Sequence, residues 1–247
     1  MKKKFEIRSH DGPGRIGKID GELTPKLFNR KELKIAPNQG SAYNIDREIA
    51  KFNVRETLRL AKENVEECDI AVIQGSKYID LRIECLEKLE EIGYNGFIIA
   101  NGDALLTNPQ ELVEVIVSLK KKAQKTSYFI FPFTEVSFMP ILTYMGIDGF
   151  LTDSANYYSH LNVAQTPTKA YDLNAYPIYE DISQEELERK NIENMEFVIR
   201  EIHAHMKNRS LRNLVEERSG TTPQNISTLK ILDRKHMDYL LEYTQLF

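Results

Sequence analysis

Three polar side chains stand directly after short apolar runs: Gln74 after Ile70–Ile73, Asn101 after Phe97–Ala100, and Asp153 after Gly149–Thr152. A carboxylate such as Asp153 can attack a sugar carbon, act as a general base, or accept hydrogen bonds from a base edge. The amide of Gln74 offers a donor and an acceptor together, which suits the edge of a purine-like ring. Gly75 follows it, and a missing Cβ lets a ligand approach the backbone closely. Each residue also has a plain structural reading. Asp153 would cap the next helix. Gln74 would sit in a turn, and Asn101-Gly102 would form a type I′ turn. Asp148 precedes the Gly149–Thr152 run, at the opposite end of the sheet, and reads as a turn residue.

The elements that must hold these residues alternate. A third apolar run, Tyr128–Phe131, ends in Pro132, and helical patterns separate all four runs. That is the order of successive β–α units in a parallel sheet. Ligands bind at the carboxyl ends of such strands, so Gln74, Asn101 and Asp153 are expected on one rim. Residues 5–24 read as short strands around the DGPG turn, and residues 25–46 as irregular. From Asp46, a fair N-cap, to Glu67 the spacing is helical, with Ile49, Phe52, Leu58 and Ala61 or Val65 on one face. Helix 81–92 stops at Gly93, and another begins at Asn108-Pro109. A short helix is expected around Met139–Met145. The stretch 157–182 lacks period. Ser183 with Glu186 forms a capping box that opens one long helix, or two, reaching Arg218. A last helix spans 226–243. The fold class is α/β. Residues 1–182 form the sheet-bearing domain, and residues 183–247 a helical part packed on it, read as the same domain.

At 247 residues, with 41% hydrophobic and 28% charged side chains, the chain can bury one sizeable α/β core. Its net charge of −4 argues against a strongly basic nucleic-acid binder. Lys2–Lys4 and Lys120–Lys122 are local clusters that a solvated surface explains. Cys68 and Cys85 show no CxxC spacing, so a structural zinc site is not expected and a reducing cytosol is. The opening MKKKFEIRSHDG has no apolar core of a signal peptide, and no apolar run approaches the ~20 residues a bilayer requires. A cytoplasmic protein without a metal, a cofactor or a membrane is therefore expected. His203 and His205 lie two apart, on different helix faces, and make a poor metal pair. DGPGRIG at 11–17 lacks the Lys-Ser/Thr of a phosphate loop and reads as a hairpin turn.

Five segments in register resemble the tRNA-guanine transglycosylase superfamily, in particular the transglycosylase-like part of archaeosine synthases. They are DGPGRIGKIDGELTP at 11–25, VIQGSKYIDLR at 72–82, ANGDALLTNPQELVEVI at 100–116, ILTYMGIDGFLTDSANYY at 141–158 and RKNIENMEFVIREIHAHMKNRSLRNLVEER at 189–218. The resemblance implies a TIM-type (β/α) barrel, degenerate or incomplete here, with a short β-rich N-terminal segment and C-terminal helices. It places Asp153 at the nucleophilic aspartate that attacks a tRNA ribose C1′. It places Gln74, with Gly75, in the base-recognition loop. Asn101 and Gly102 fall in the guanine loop, where the family's Gly-Gly-Leu reads Ala-Asn-Gly at 100–102.

Other departures bear on activity. The DSGGFQ motif, which carries the family's second catalytic aspartate, is absent, and at least one β–α unit before Gln74 is missing or remodelled. The Pro-Thr-Arg after the nucleophile reads Ser154-Ala155-Asn156-Tyr157, and the zinc cysteines and histidine are gone. The resemblance, with the second catalytic aspartate absent, implies a transglycosylase-like tRNA-modification subunit of the archaeosine pathway that lacks full base-exchange activity; in that pathway lysine is attached to the nitrile of preQ0 already in tRNA. Its partners would be tRNA and a chain carrying the C-terminal catalytic and RNA-binding domains of full-length members; a homo-oligomer is compatible. Two alternatives stand beside it. One is an active glycosyltransferase with Asp153 as nucleophile and Asp103 or Asp11 as base. The other is a non-catalytic assembly module.

Overall fold

The computed structural model describes residues 5–243, so Lys2–Lys4 lies outside the described residues. Strands β1 (Phe5–Asp11), β2 (Gly14–Ile19) and β3 (Glu22–Thr24) form an antiparallel sheet, with DGPG at the first turn as expected. Next come β4 (Lys26–Phe28), a single 3₁₀ turn at Arg30–Glu32, and α1 (Arg47–Glu63). The alternating units are β5 (Ile70–Ile73), α2 (Ile79–Ile92), β6 (Gly96–Ile99), α3 (Gly102–Thr107), α4 (Pro109–Lys122), β7 (Tyr128–Phe131), α5 (Met139–Tyr144), β8 (Gly149–Leu151) and α6 (Asp153–His160). A small hairpin of β9 (Val163–Gln165) and β10 (Ala170–Asp172) follows. Helices α7 (Gln184–Lys207), α8 (Leu211–Ser219), α9 (Pro223–Lys235) and α10 (Met237–Glu242) come last. Among the described residues no helix is long and apolar enough to cross a membrane.

Local chemistry explains most boundaries. Asp46 accepts from the Glu48 N–H, Asn108 from Glu111, and Ser183 from Glu186, satisfying donors at three helix starts. Gly93 ends α2 with a left-handed φ of 108°, open to a residue without Cβ. The Ser183 helix stops at Lys207, so the stretch to Arg218 is two helices. The last expected helix is also divided, at His236.

The central sheet is parallel, in the order β4-β8-β7-β6-β5. The first parallel strand thus pairs with the last, Lys26 to Phe28 opposite Gly149 to Leu151, as in a barrel. At the other edge Ile35 bridges Ile70, and the Ala36 N–H donates to Ile70 O at 2.8 Å. Six residues, 29–34, therefore join the two edges, a span of at most about 25 Å. The fold is α/β, a five-stranded parallel sheet whose two edges are linked by a crossing segment. Residues 25–46, expected to be irregular, supply both the missing edge strand and that segment. The three-residue strand Lys26-Leu27-Phe28 is too short to show alternation.

Alternation sorts the strand residues into two cores. Ala71, Ile73, Phe97, Ile99, Phe129, Phe131 and Phe150 pack under the helices. Ile70, Val72, Ile98, Ala100, Tyr128, Ile130 and Leu151 fill the inside with Phe28, and Phe5 and Ile19 of the N-terminal hairpin join them. The C-terminal helices continue the outer layer: α7 packs on α6, α8 on α5 and α9 on α4.

Two expectations need correction. Ile49 and Phe52 do not face the core. They are 54% and 50% exposed, and α1 instead buries Ala50, Asn53, Val54, Thr57 and Ala61. Small side chains let the helix lie close, and Thr57 Oγ1 accepts from the Gln39 N–H at 3.0 Å. Asp148 is not a turn residue. It is fully buried and bonded to Arg15, Nε to Oδ1 at 2.7 Å and Nη2 to Oδ2 at 2.8 Å.

Candidate functional site

A cavity of about 1140 Å³ opens where the parallel strands end. Its apolar lining includes Ile35, Val72, Ile98 and Ala100. Polar and aromatic groups from the following loops surround it: Asn38, Asn101, Gly102 and Asp103 on one side, and Phe133, Glu135, Asp153, Tyr157 and Tyr158 on the other. Arg30, from the segment joining the sheet edges, and Lys169 add cationic groups. An apolar interior with a few convergent polar groups fits a planar ring with a polar edge.

Of the five residues selected from the sequence, Asn101, Gly102 and Asp153 line this cavity. Asn101 does not form a type I′ turn. It adopts a left-handed conformation (φ 61°, ψ 38°) and leads into α3. Its carboxamide is held from both ends: Nδ2 donates to Ser41 O at 2.8 Å, and Oδ1 accepts from Arg82 Nη2 at 3.2 Å. A Cβ on Gly102 would lie 2.9 Å from Pro132 Cγ, so this position must be small for the β6 and β7 loops to approach.

Gln74 sits beneath the rim, 3% exposed. Its Nε2 donates to Asn38 Oδ1 at 2.9 Å, and Asn38 lines the cavity. Its Oε1 has no hydrogen-bond partner among the described residues. Gly75 is needed for a neighbour. Its φ is +145°, and a Cβ there would lie 2.7 Å from the Arg82 backbone nitrogen and Cγ. The glycine makes room for α2.

Asp153 does not act as a cap. It is the first residue of α6, and its Oδ2 accepts from Arg30 Nε at 2.7 Å. Both side chains are well exposed, 40% for Asp153 and 56% for Arg30. The two bases considered with Asp153 separate in space. Asp103 lines the cavity, whereas Asp11 accepts from the Leu211 N–H at 2.8 Å, at the start of α8.

Sequence reasoning missed Arg82 and Glu135. Arg82 is fully buried, and its hydrogen bonds go to neutral oxygens: Ser76 O at 2.7 Å, Ala100 O at 3.1 Å and Asn101 Oδ1. Burial pulls its guanidinium down to about 10. It ties the loop after β5 to the loop after β6. A signal was present: Arg82 lies on the stripe shared by Cys85, Leu86 and Leu89, where a charge is out of place. Glu135, in the loop after β7, accepts from the Tyr158 hydroxyl at 3.4 Å. Burial pushes its carboxyl up, and the Tyr158 hydrogen bond partly offsets this. It stands in no motif, so nothing in the sequence singled it out. No cluster of three His, Cys, Asp or Glu side chains among the described residues is arranged to hold a metal. His203 bonds to Pro25 O and His205 to Ser210.

Comparison with known proteins adds relatives to this geometry. The family model for queuine tRNA-ribosyltransferase matches residues 35–186. The chain is 22% identical over 262 aligned residues to the archaeosine synthase subunit alpha of Thermococcus kodakarensis, covering 97% of this chain and 43% of that protein. It is 28% identical over 234 residues to the archaeosine synthase of Methanocaldococcus jannaschii, covering 83% of this chain and 38% of the relative. The chain thus spans about two fifths of the length of the curated relatives it matches.

Proposed function

Because the chain belongs to the queuine tRNA-ribosyltransferase family, whose model matches more than half of it, we propose that it is a transglycosylase-like tRNA-modification protein of the archaeosine pathway. The cavity at the carboxyl ends of the strands would hold the 7-deazaguanine-type base of one tRNA nucleotide. One observation carries this reading: Asn101-Gly102 and Asp153, from two segments far apart in the chain, line a single apolar-floored cavity. Gln74 supports the pocket from beneath, its Nε2 fixing the Oδ1 of Asn38, a residue of the lining.

Net charge −4 is poor for holding RNA, because Lys and Arg contacts to phosphates dominate such affinity. We therefore assign tRNA capture to the chain together with a more basic partner. The test is a tRNA gel-shift with and without that partner, repeated with Ala104→Trp, which fills the cavity. Binding that needs the partner and weakens at least tenfold in the variant supports the proposal. Tight, salt-insensitive binding by the lone chain, unchanged by the tryptophan, would overturn it.

A second reading, glycosyl transfer with Asp153 as nucleophile, is favoured by the further carboxyls in the cavity, Glu135 and Asp103. A purely structural role remains distinct: Asp153→Ala and Gln74→Ala would then leave pathway activity intact.

A further inference from the structure

The absence of DSGGFQ leaves Asp153 without the carboxyl partner that base exchange requires. Breaking a ribose–base bond sends an electron pair onto the base, which must be protonated to leave. The structure places another carboxyl on the same cavity. Glu135 leaves β7 four residues after Phe131, lines the cavity with Asp153, and accepts from the Tyr158 hydroxyl at 3.4 Å. Asp153 and Tyr158 stand on the same helix, five residues apart, an axial rise of about 7.5 Å. Tyr158 thereby ties the Glu135 carboxyl to the helix that begins with the nucleophile. The rings of Phe133, Tyr157 and Tyr158, which also line the cavity, pack on one another with centroids 5.1 to 5.6 Å apart. Asp103 also lines the cavity but leaves from the β6 side, in the first turn of α3.

We propose that Glu135 is the proton-carrying catalytic carboxyl of this cavity, held in place by Tyr158 and working with Asp153. The proposal rests on the cavity's being a nucleotide pocket and on its second, glycosyl-transfer reading. In the first half-reaction an Asp153 oxygen bonds to ribose C1′ as the C1′–N bond breaks. The electron pair departs with the outgoing base, and the proton on Glu135 moves to that base. In the second half, the incoming heterocycle gives a ring N–H proton to the Glu135 carboxylate. Its nitrogen bonds to C1′ as the bond to Asp153 breaks. No oxidant, metal or further reactant is required. Burial raises the Glu135 carboxyl, which favours the protonated form needed at the start. Arg30 must release Asp153 as the nucleotide enters, and the phosphate beside the target ribose is a suitable new partner for its guanidinium.

The experiment incubates the full chain, with its tRNA-binding partner, with an unmodified tRNA transcript and radiolabelled guanine. Label entering RNA and adducts surviving denaturing gels are both measured. The wild-type protein is expected to exchange label and to trap an adduct that Asp153→Asn abolishes. Glu135→Gln should slow exchange at least a hundredfold while tRNA affinity stays within twofold. Tyr158→Phe should slow it about tenfold and displace the pH profile, an effect that a merely structural tyrosine would not produce. Thermal melts check that each variant is folded. Glu135→Gln exchanging like wild type overturns the assignment. So does a wild-type protein that binds tRNA but never exchanges label, which leaves the pocket reading standing. Binding indifferent to Ala104→Trp overturns the pocket reading itself.

Discussion

Strand β8 carries an Arg–Asp pair at each end, and the two pairs live in different solvents. At its start Asp148 meets Arg15, with the side chains 0% and 5% exposed. Arg15 also donates to Lys125 O and Ser127 O, and Asp148 Oδ2 accepts from the Phe129 N–H at 2.9 Å. Several polar atoms from both residues are answered, as a charge pair in a low-dielectric interior requires. At its end Asp153 meets Arg30 through one bond, with both side chains open to water. The same two residue types thus seal one mouth of the sheet and stand ready at the other. Burial and the number of hydrogen bonds decide which role the pair takes.

The comparison breaks most directly at the sealed end. Asp148→Ala strands the Arg15 guanidinium in the interior and should cost about 3–5 kcal/mol, read as a lower midpoint in urea unfolding. Asp153→Ala should cost no more than about 1 kcal/mol, the range of an exposed pair. If the two variants were equally destabilised, the distinction between the ends would be lost. Arg82→Met tests the intermediate case. It removes donors from the Ser76 and Ala100 carbonyls and from Asn101 Oδ1, for an expected loss of about 1–3 kcal/mol. Faster amide exchange in the loops after β5 and β6 should accompany that loss. Arg30→Ala should shift stability by less than about 1 kcal/mol, yet weaken tRNA binding in the partnered protein several-fold. A stability loss as large as that of Asp148→Ala would make Arg30 a structural clamp.

The legibility of the two ends in the sequence follows the same physics. Strands β5, β6 and β7 were plain because both faces are buried, which makes IAVI, FIIA and YFIF continuous apolar runs. The ends of the β6 and β8 runs point Asn101, Gly102 and Asp153 to one rim, and all three line the cavity. Strand β4 was hidden because three residues carry no period, and its partner β8 is far along the chain. Asp148 was misread for a similar reason. Its partner lies 133 residues away, and an aspartate after glycine and isoleucine looks locally like a turn. Glu135 escaped because its role depends on Tyr158, on another element. Ile49 and Phe52 misled because apolar periodicity gives a face without saying which neighbour it meets.

Proton binding gives the two ends opposite signs, the smallest expected effect. Near the sealed mouth, Lys120 Nζ lies over the Phe129 ring at 5.0 Å. Burial, reinforced by Arg15 and opposed by Asp148, brings its ammonium down to about 7 from the ordinary 10.5. Between those values the unfolded chain holds a proton that the folded chain has released, so stability should rise with pH through that window. Lys120→Met should flatten the rise. At the open mouth Glu135 is shifted the other way, raised from 4.5 by burial, with Tyr158 as its hydrogen-bond partner. Above its ordinary value the folded chain binds more protons than the unfolded one, so stability should fall as pH climbs through the raised value. Glu135→Gln should remove that fall and leave the alkaline rise untouched. Urea titrations of the two variants across pH 4 to 10 would therefore separate the ends by the sign of the slope each one removes. If both variants changed the same limb, the two mouths would be titrating as one coupled network.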